Sequence, residues 1–215
     1  PSTMPVAERY HYGGSATRSD SHTKNLLSET TLSYNKTFKK KHKLDLVGGF
    51  TAQHSSNKYV YANGRGYLDD NVTAYNMGSL VDKRCLTVST SASELQRYSV
   101  LARANYSYGG RYHLTLTGRG DASSNFAKGH KWAFFPSAAF KWTISNEKFM
   151  KGTKSWLSDL SLRLSAGSSG NDSIGNYVSQ MLLTTNQSGW LFGDSFEVAY
   201  YPARIDNPNL TWEKT

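Results

Sequence analysis

Apolar and polar residues alternate along most of this chain with a period of two. In 97–108, "RYSVLARANYSY", Tyr98, Val100, Ala102, Ala104, Tyr106 and Tyr108 fall on one face. Arg97, Ser99, Arg103, Asn105 and Ser107 fall on the other, with Leu101 the one exception. Such alternation predicts a strand with one apolar and one polar face. Gly109-Gly110 follows, a pair suited to a two-residue hairpin because both positions accept positive φ. Residues 111–121 then alternate again, with Tyr112, Leu114 and Leu116 opposite Arg111, His113, Thr115, Thr117, Arg119 and Asp121.

The same pattern predicts strands over 26–38, 44–54, 132–142 and 160–166, with a turn at Lys39–Lys41. The only segment with a helical look is "SNEKFM", read as one turn with Ser145 as N-cap and Glu147 near its positive end. Pro136 sits inside a strand, where it removes a ladder donor, so a bulge or bend is expected there. Gly118 and Gly120 fall on the apolar face, where a bulge or a close backbone approach is natural.

The predicted fold is all-β, an antiparallel meander of about six to eight long strands. Its connections are tight near 39–42 and 109–110 and long near 61–94, 122–131 and 168–200. Short turns at one end and long loops at the other are the pattern of an outer-membrane barrel, whose strands need about ten residues to cross a bilayer. Tyr98, Tyr106, Tyr108, Tyr112, Trp132 and Trp142 lie near segment ends, as girdle residues do. A soluble β-sandwich also alternates, but would not carry Arg103 and Arg163 in mid-strand as a wet lumen allows.

Composition narrows the chemistry. The chain has 215 residues, 14 Tyr, 5 Trp and a formal charge of +9. The charge is spread among alternating segments, with one dense run, "FKKKHK", read as a solvated turn rather than a nucleic-acid patch. No apolar run reaches the length of a membrane helix. The single Cys85 gives no disulfide framework and reads as a lone thiol in a polar loop. His11, His22, His42, His54, His113 and His130 are scattered, so no metal or other cofactor is expected. "GSSGND", 167–172, lacks the Lys-Ser/Thr of a phosphate loop, and no Gly-x-Ser-x-Gly elbow occurs, so no enzyme is expected. Asn186-Gln187-Ser188 matches a glycosylation triplet only as short sequences do by chance.

Candidate ligand-binding residues are aromatic rings set among amides and carboxylates. These are Tyr59, Tyr61 and Tyr67 near Asn63, Asp69, Asp70 and Asn71, then Asp121 and Asn125, and Trp190 near Phe192. Flat rings beside hydrogen-bonding groups suit sugar rings and their hydroxyls.

Several ordered motifs carry a family resemblance. "RGDASSNF" supplies Arg119, Asp121, Ala122, Ser123, Ser124 and Phe126. Then come Lys131-Trp132, Phe135-Pro136-Ser137, Trp142-Thr143-Ile144-Ser145, and Glu147 with Phe149. "LSLRLSAGSSGN" supplies Arg163, Gly167, Gly170 and Asn171, and "NPNLTWE" supplies Trp212 and Glu213. Residues 97–215 thus resemble the SusC/RagA-type TonB-dependent outer-membrane transporters, and 1–96 match them in style. The resemblance implies a partial barrel domain over 1–215, a slice of a barrel of about 22 strands. The plug domain, TonB-box segment and last strands of that family lie outside it. It also implies active import of oligosaccharides or peptides across a Gram-negative outer membrane, with a SusD-like surface lipoprotein and TonB as partners. A passive porin or adhesin barrel, and a soluble carbohydrate-binding sandwich, are the alternatives. Within this reading Arg119-Gly120-Asp121 is a strand-to-loop corner facing a polar lumen, not an adhesion ligand.

Overall fold

A computed structural model describes residues 14–67, 74–80, 82–185 and 190–215. Six strands form one antiparallel sheet in sequence order: β1 (Gly14–Phe38), β2 (His42–Tyr67), β3 (Leu86–Tyr108), β4 (Tyr112–Ser123), β5 (Trp132–Thr143) and β6 (Ser161–Gly167). Three short antiparallel pairs follow. They are β7 (Gly170–Asn171) with β12 (Glu213–Lys214), β8 (Leu182–Thr185) with β11 (Tyr200–Arg204), and β9 (Trp190–Phe192) with β10 (Ser195–Glu197). No helix among the described residues is long and apolar enough to cross a membrane. The two-sheet sandwich does not form: all six long strands share one sheet, and its apolar face is exposed.

Both tight turns match the expectation. Gly109 and Gly110 have φ of 59° and 67°, and Arg111 N–H donates to Tyr108 O at 3.1 Å. Lys39 and Lys40 adopt the same left-handed geometry, at 45° and 59°, with Lys41 N–H donating to Phe38 O at 3.3 Å. This turn twists with the flanking strands, which outweighs the steric cost of positive φ at two lysines.

The chain divides into two compact units, Pro1–Asn25 with Ser55–Glu94, and Leu26–His54 with Leu95–Thr215. In the first, polar side chains bridge strands: Asn63 Nδ2 donates to Thr17 Oγ1 at 2.7 Å, and Ser21 Oγ to Asn57 Oδ1 at 3.3 Å. Its apolar cluster is Ala16, Tyr67 and Leu80, with Met77, Cys85 and Leu86 packed against it. Cys85 therefore closes a short 3-10 turn (Lys83–Cys85) on apolar neighbours, rather than standing in a polar loop. A thiol behaves as a small hydrophobe when such a cluster is at hand.

The second unit shows the face rule in its register. Outward rows run Tyr98–Ala122–Trp132, Val100–Gly120–Phe134, Ala102–Gly118–Pro136, Ala104–Leu116–Ala138–Ala166, Tyr106–Leu114–Phe140–Leu164 and Tyr108–Tyr112–Trp142–Leu162. Tyr and Trp dominate the first and last rows, and the rows between are largely aliphatic or small, with Phe134, Tyr106 and Phe140 among them. Ten residues separate Tyr98 from Tyr108, about 34 Å along a strand, or about 25 Å of height at the ~40° tilt of a membrane barrel. That is the height of the apolar band between two aromatic girdles.

Pro136 does not bulge the strand. Gly118 pairs Pro136 and Thr117 pairs Ser137 in unbroken register. In an antiparallel strand one residue's N and O point to the same neighbour. Pro136 O accepts from Ser168 N–H at 3.0 Å, just past the last β5–β6 pair, Ser137–Gly167. The missing N–H therefore faces the frayed end of β6, and no bond to β4 is lost. Gly118 and Gly120 are likewise in register. The close approach at Gly118 comes from the Phe134 ring, which a Cβ there would meet at 3.1 Å.

Candidate functional site

The inward rows of the second unit are mostly polar, with Leu101 and Phe135 among them. Ser99 opposes Asp121, Leu101 opposes Arg119 and Phe135 follows, then Arg103, Thr117, Ser137 and Gly167 line up. Arg119 Nε donates to both oxygens of Asp121 at 2.9 and 2.8 Å, and its Nη2 donates to Ser99 Oγ at 3.1 Å. Ser99 Oγ in turn donates to Asp121 Oδ1. The Arg and Asp of the tripeptide thus occupy each other, two residues apart on one strand face. They are not splayed as a free ligand. Arg103 Nε donates to Thr117 Oγ1 at 3.2 Å lower on the same face. Beside the ring a cleft of about 760 Å³ is lined by Glu29, Gln53, Arg97, Arg119, Phe135 and Trp212, among others.

Above it, the motifs that are scattered in sequence converge. Trp212 packs on Phe126 at 4.9 Å and edge-on to Phe135 at 5.5 Å, while its Nε1 donates to Lys131 O at 2.9 Å. Phe126 is only 2% exposed. The Phe135 ring lies over Gly170, where any Cβ would collide with it. Asn171 Nδ2 donates to Glu213 at 3.2 Å, and β7 pairs β12 at Asn171–Glu213 and Gly170–Lys214. Arg97 holds Asp172 through two bonds, at 2.6 and 3.1 Å. Asn125 is buried and its amide nitrogen donates to Asp172 O at 3.4 Å and Ile174 O at 3.1 Å. This is one knot that fastens both ends of the 172–212 connection onto β3–β5. Arg97 and Asp172 lie 75 positions apart and no local pattern pairs them.

At the tight-turn end a second cluster forms on one carboxylate. Glu147 accepts from Arg111 Nη1 at 2.7 Å, Tyr112 Oη at 2.7 Å and Trp142 Nε1 at 3.2 Å. These donors, Tyr112 first, hold its carboxyl below the ordinary glutamate range. Two of the three donors are girdle rings. The expected helical turn is replaced by two 3-10 segments, Ile144–Asn146 and Lys148–Thr153. Ser145 is not an N-cap: it is buried and its Oγ donates to Asp159 Oδ1 at 3.0 Å. With its carboxylate claimed by three side chains, Glu147 is not free to serve a helix N-terminus either. The sequence points to Glu147 only through the question of where the girdle Trp N–H and Tyr O–H groups find an acceptor.

The candidate ligand residues separate. Asp121 lies on the inner face within its ring, its side chain mostly covered. Asn125 is a buried support of the knot. Tyr67 is buried in the first unit and its Oη donates to Met77 O at 3.2 Å. Tyr59 and Tyr61 are half-buried and share a face of β2. Trp190 opens β9, opposite Glu197. Asp69, Asp70 and Asn71, and the Asn186-Gln187-Ser188 triplet, lie outside the described residues. Among the described residues no three His, Cys, Asp or Glu side chains gather as a metal site.

A family model described as TonB dependent receptor-like, beta-barrel, matches residues 5–215. The chain is 36% identical over 202 residues to TonB-dependent receptor P3 of Formosa agariphila, which covers 94% of this chain and 20% of that protein. It is 40% identical over 120 residues to TonB-dependent receptor SusC of Bacteroides thetaiotaomicron, covering 54% of this chain and 12% of that protein. A solved structure of the RagAB peptide transporter superposes with a TM-score of 0.76 at 26% identity, over 92% of this chain and 21% of that one. The chain spans 20% of the length of the Formosa relative. The chain is thus similar to SusC and to RagAB, and it belongs to the TonB-dependent receptor β-barrel family.

Proposed function

We propose that this chain is a section of the wall of a TonB-dependent, SusC-like transporter that carries oligosaccharides or peptides across the outer membrane. The observation that carries the reading is the sheet's two-faced register. One face is an apolar band between aromatic rows, and the other is a polar wall with a cleft beside Arg119 and Asp121. A lipid-facing exterior and a wet interior need that division, and a soluble protein would leave the apolar face uncovered. RagAB is a peptide importer by the names of its structures, which supports the peptide arm of this reading, and the oligosaccharide arm rests on the rings set beside hydrogen-bonding groups.

The wall does no chemistry. Cargo meets it through hydrogen bonds and ring faces offered by Asp121, Tyr59, Tyr61 and Trp190, while Tyr67 and Asn125 support the loops from inside. A SusD-like lipoprotein covers the long-loop end, and TonB supplies the energy through parts of the protein beyond this section. Deleting the gene, and separately the host's TonB, tests this. Uptake of one labelled class, oligosaccharide or oligopeptide, should fall in both deletions alike. Unchanged uptake of both classes would end the transporter reading, and a loss that is independent of TonB would point to a passive porin.

A further inference from the structure

Three connections are stitched side by side at the tight-turn end of the second unit. Gly109 N–H donates to Lys41 O at 2.7 Å, Thr143 N–H to Arg111 O at 2.7 Å, and Asn146 Nδ2 to Gly110 O at 2.9 Å. Cations gather along this edge. The first turn carries Lys39, Lys40, Lys41 and Lys43, all exposed, with no carboxylate between Phe38 and Lys43. The third connection adds exposed Lys148, Lys151 and Lys154. Among the described residues none of these lysines is ion-paired; the one pair at this edge is Arg111–Glu147. At the opposite end of the same sheet, Arg97 and Arg119 each have an aspartate.

Uncompensated like charges held this close repel one another unless an anionic surface answers them. The edge also bears exposed rings, Phe149 at 69% and Trp156 at 75%. Lysines mixed with exposed aromatics are the composition of a membrane interface, where rings sit at headgroup level and ammonium groups reach phosphates. In a barrel the short turns face the periplasm, so this edge meets the periplasmic leaflet.

We propose that the two connections, Lys39–Lys43 and Lys148–Trp156, form a rim that binds the phosphate headgroups of anionic phospholipids in that leaflet. The inference rests on the membrane-barrel reading above. Its test uses the intact barrel protein that carries this chain, purified in detergent and offered phosphatidylglycerol or phosphatidylcholine of equal chain length, with retained lipid counted by native mass spectrometry. The wild type should retain phosphatidylglycerol in preference by about tenfold or more, since each lysine near an anionic surface adds to the attraction. Replacing the seven lysines with glutamine should abolish the preference while the barrel still shows heat-modifiable migration. Replacing Lys24 and Lys58, in the other unit, should leave it unchanged. The proposal fails if the wild type shows no preference, if the seven-fold variant keeps it, or if the Lys24/Lys58 control also loses it. It also fails if soluble polyglutamate displaces the lipid fully, which would make the edge a general polyanion surface. Recovery of the intact protein without detergent would sink the transporter reading itself, whereas a detergent-dependent barrel without lipid preference would sink only the rim.

Discussion

The two ends of the second unit's sheet are built differently. At the long-loop end, charges are paired one to one, as Arg97–Asp172 and Arg119–Asp121, and Trp212 packs on Phe126 and Phe135, whose ring lies over Gly170. At the tight-turn end, one carboxylate serves three donors and the lysines around it are left uncompensated. A connection of about forty residues needs fastening, and only packing between distant segments supplies it. A two-residue turn needs none, so its side chains are free to face outward from the sheet's end. The loop end is thus a structural closure, and the turn end is the edge proposed above as a lipid-binding rim.

Several substitutions in the intact protein would break or sharpen that contrast. The largest effect is expected at the loop end. Phe126→Ala removes the most buried ring of the knot and should cost about 3–5 kcal/mol in denaturant unfolding. A loss below about 1 kcal/mol would mean that the knot does not carry the loop. Next comes the band between the ends. Leu116→Arg places a charge on the apolar face and, if that face meets lipid as proposed, should cost about 2–4 kcal/mol near the midplane, whereas Thr115→Arg on the polar face should cost a few tenths. Equal effects would reverse the face assignment on which both ends depend.

At the turn end, Glu147→Gln should lower the melting temperature by a few degrees at neutral pH. The sign with pH is fixed by the depressed carboxyl. The Glu147 contribution is fully present above its ordinary pKa of 4.5 and is lost as pH falls through the lower folded value. Wild type and variant should therefore converge in melting temperature under strong acid. A difference that persists there would mean the three donors do not depend on the charge. The smallest effect is expected for Asp172→Asn. Arg97 in this pair is more than one-third exposed, so solvent screening leaves the pair worth about 1 kcal/mol or less. Its clearer readout is faster hydrogen exchange across 172–212, confined to that connection.

Much of this architecture was legible in the alternation. The faces of β3, β4 and β5, both tight turns and the girdle rows follow from period two and from residues suited to turns and interfaces. The family could be read from the motifs, but not what they build. Phe126, Phe135, Gly170 and Trp212 look like separate landmarks in sequence and meet in one place in space. The lengths of the first strands were not legible either. β1 and β2 run to 25 and 26 residues where the pattern suggests 26–38 and 44–54, because in 14–25 and 55–67 polar side chains bond across the strands and no apolar face marks the period.

Alternation alone sorts the residues of each strand onto the apolar or the polar face, since a strand's side chains alternate whatever their neighbours are. The sequence by itself also determined the tight turns, through local backbone preferences. The tertiary structure alone decided the partners: Asp172 for Arg97, Glu147 for two girdle rings, Trp212 for the Arg-Gly-Asp corner's own Phe126. Those choices depend on register and on a long connection folding back, and neither leaves a periodic trace in the chain.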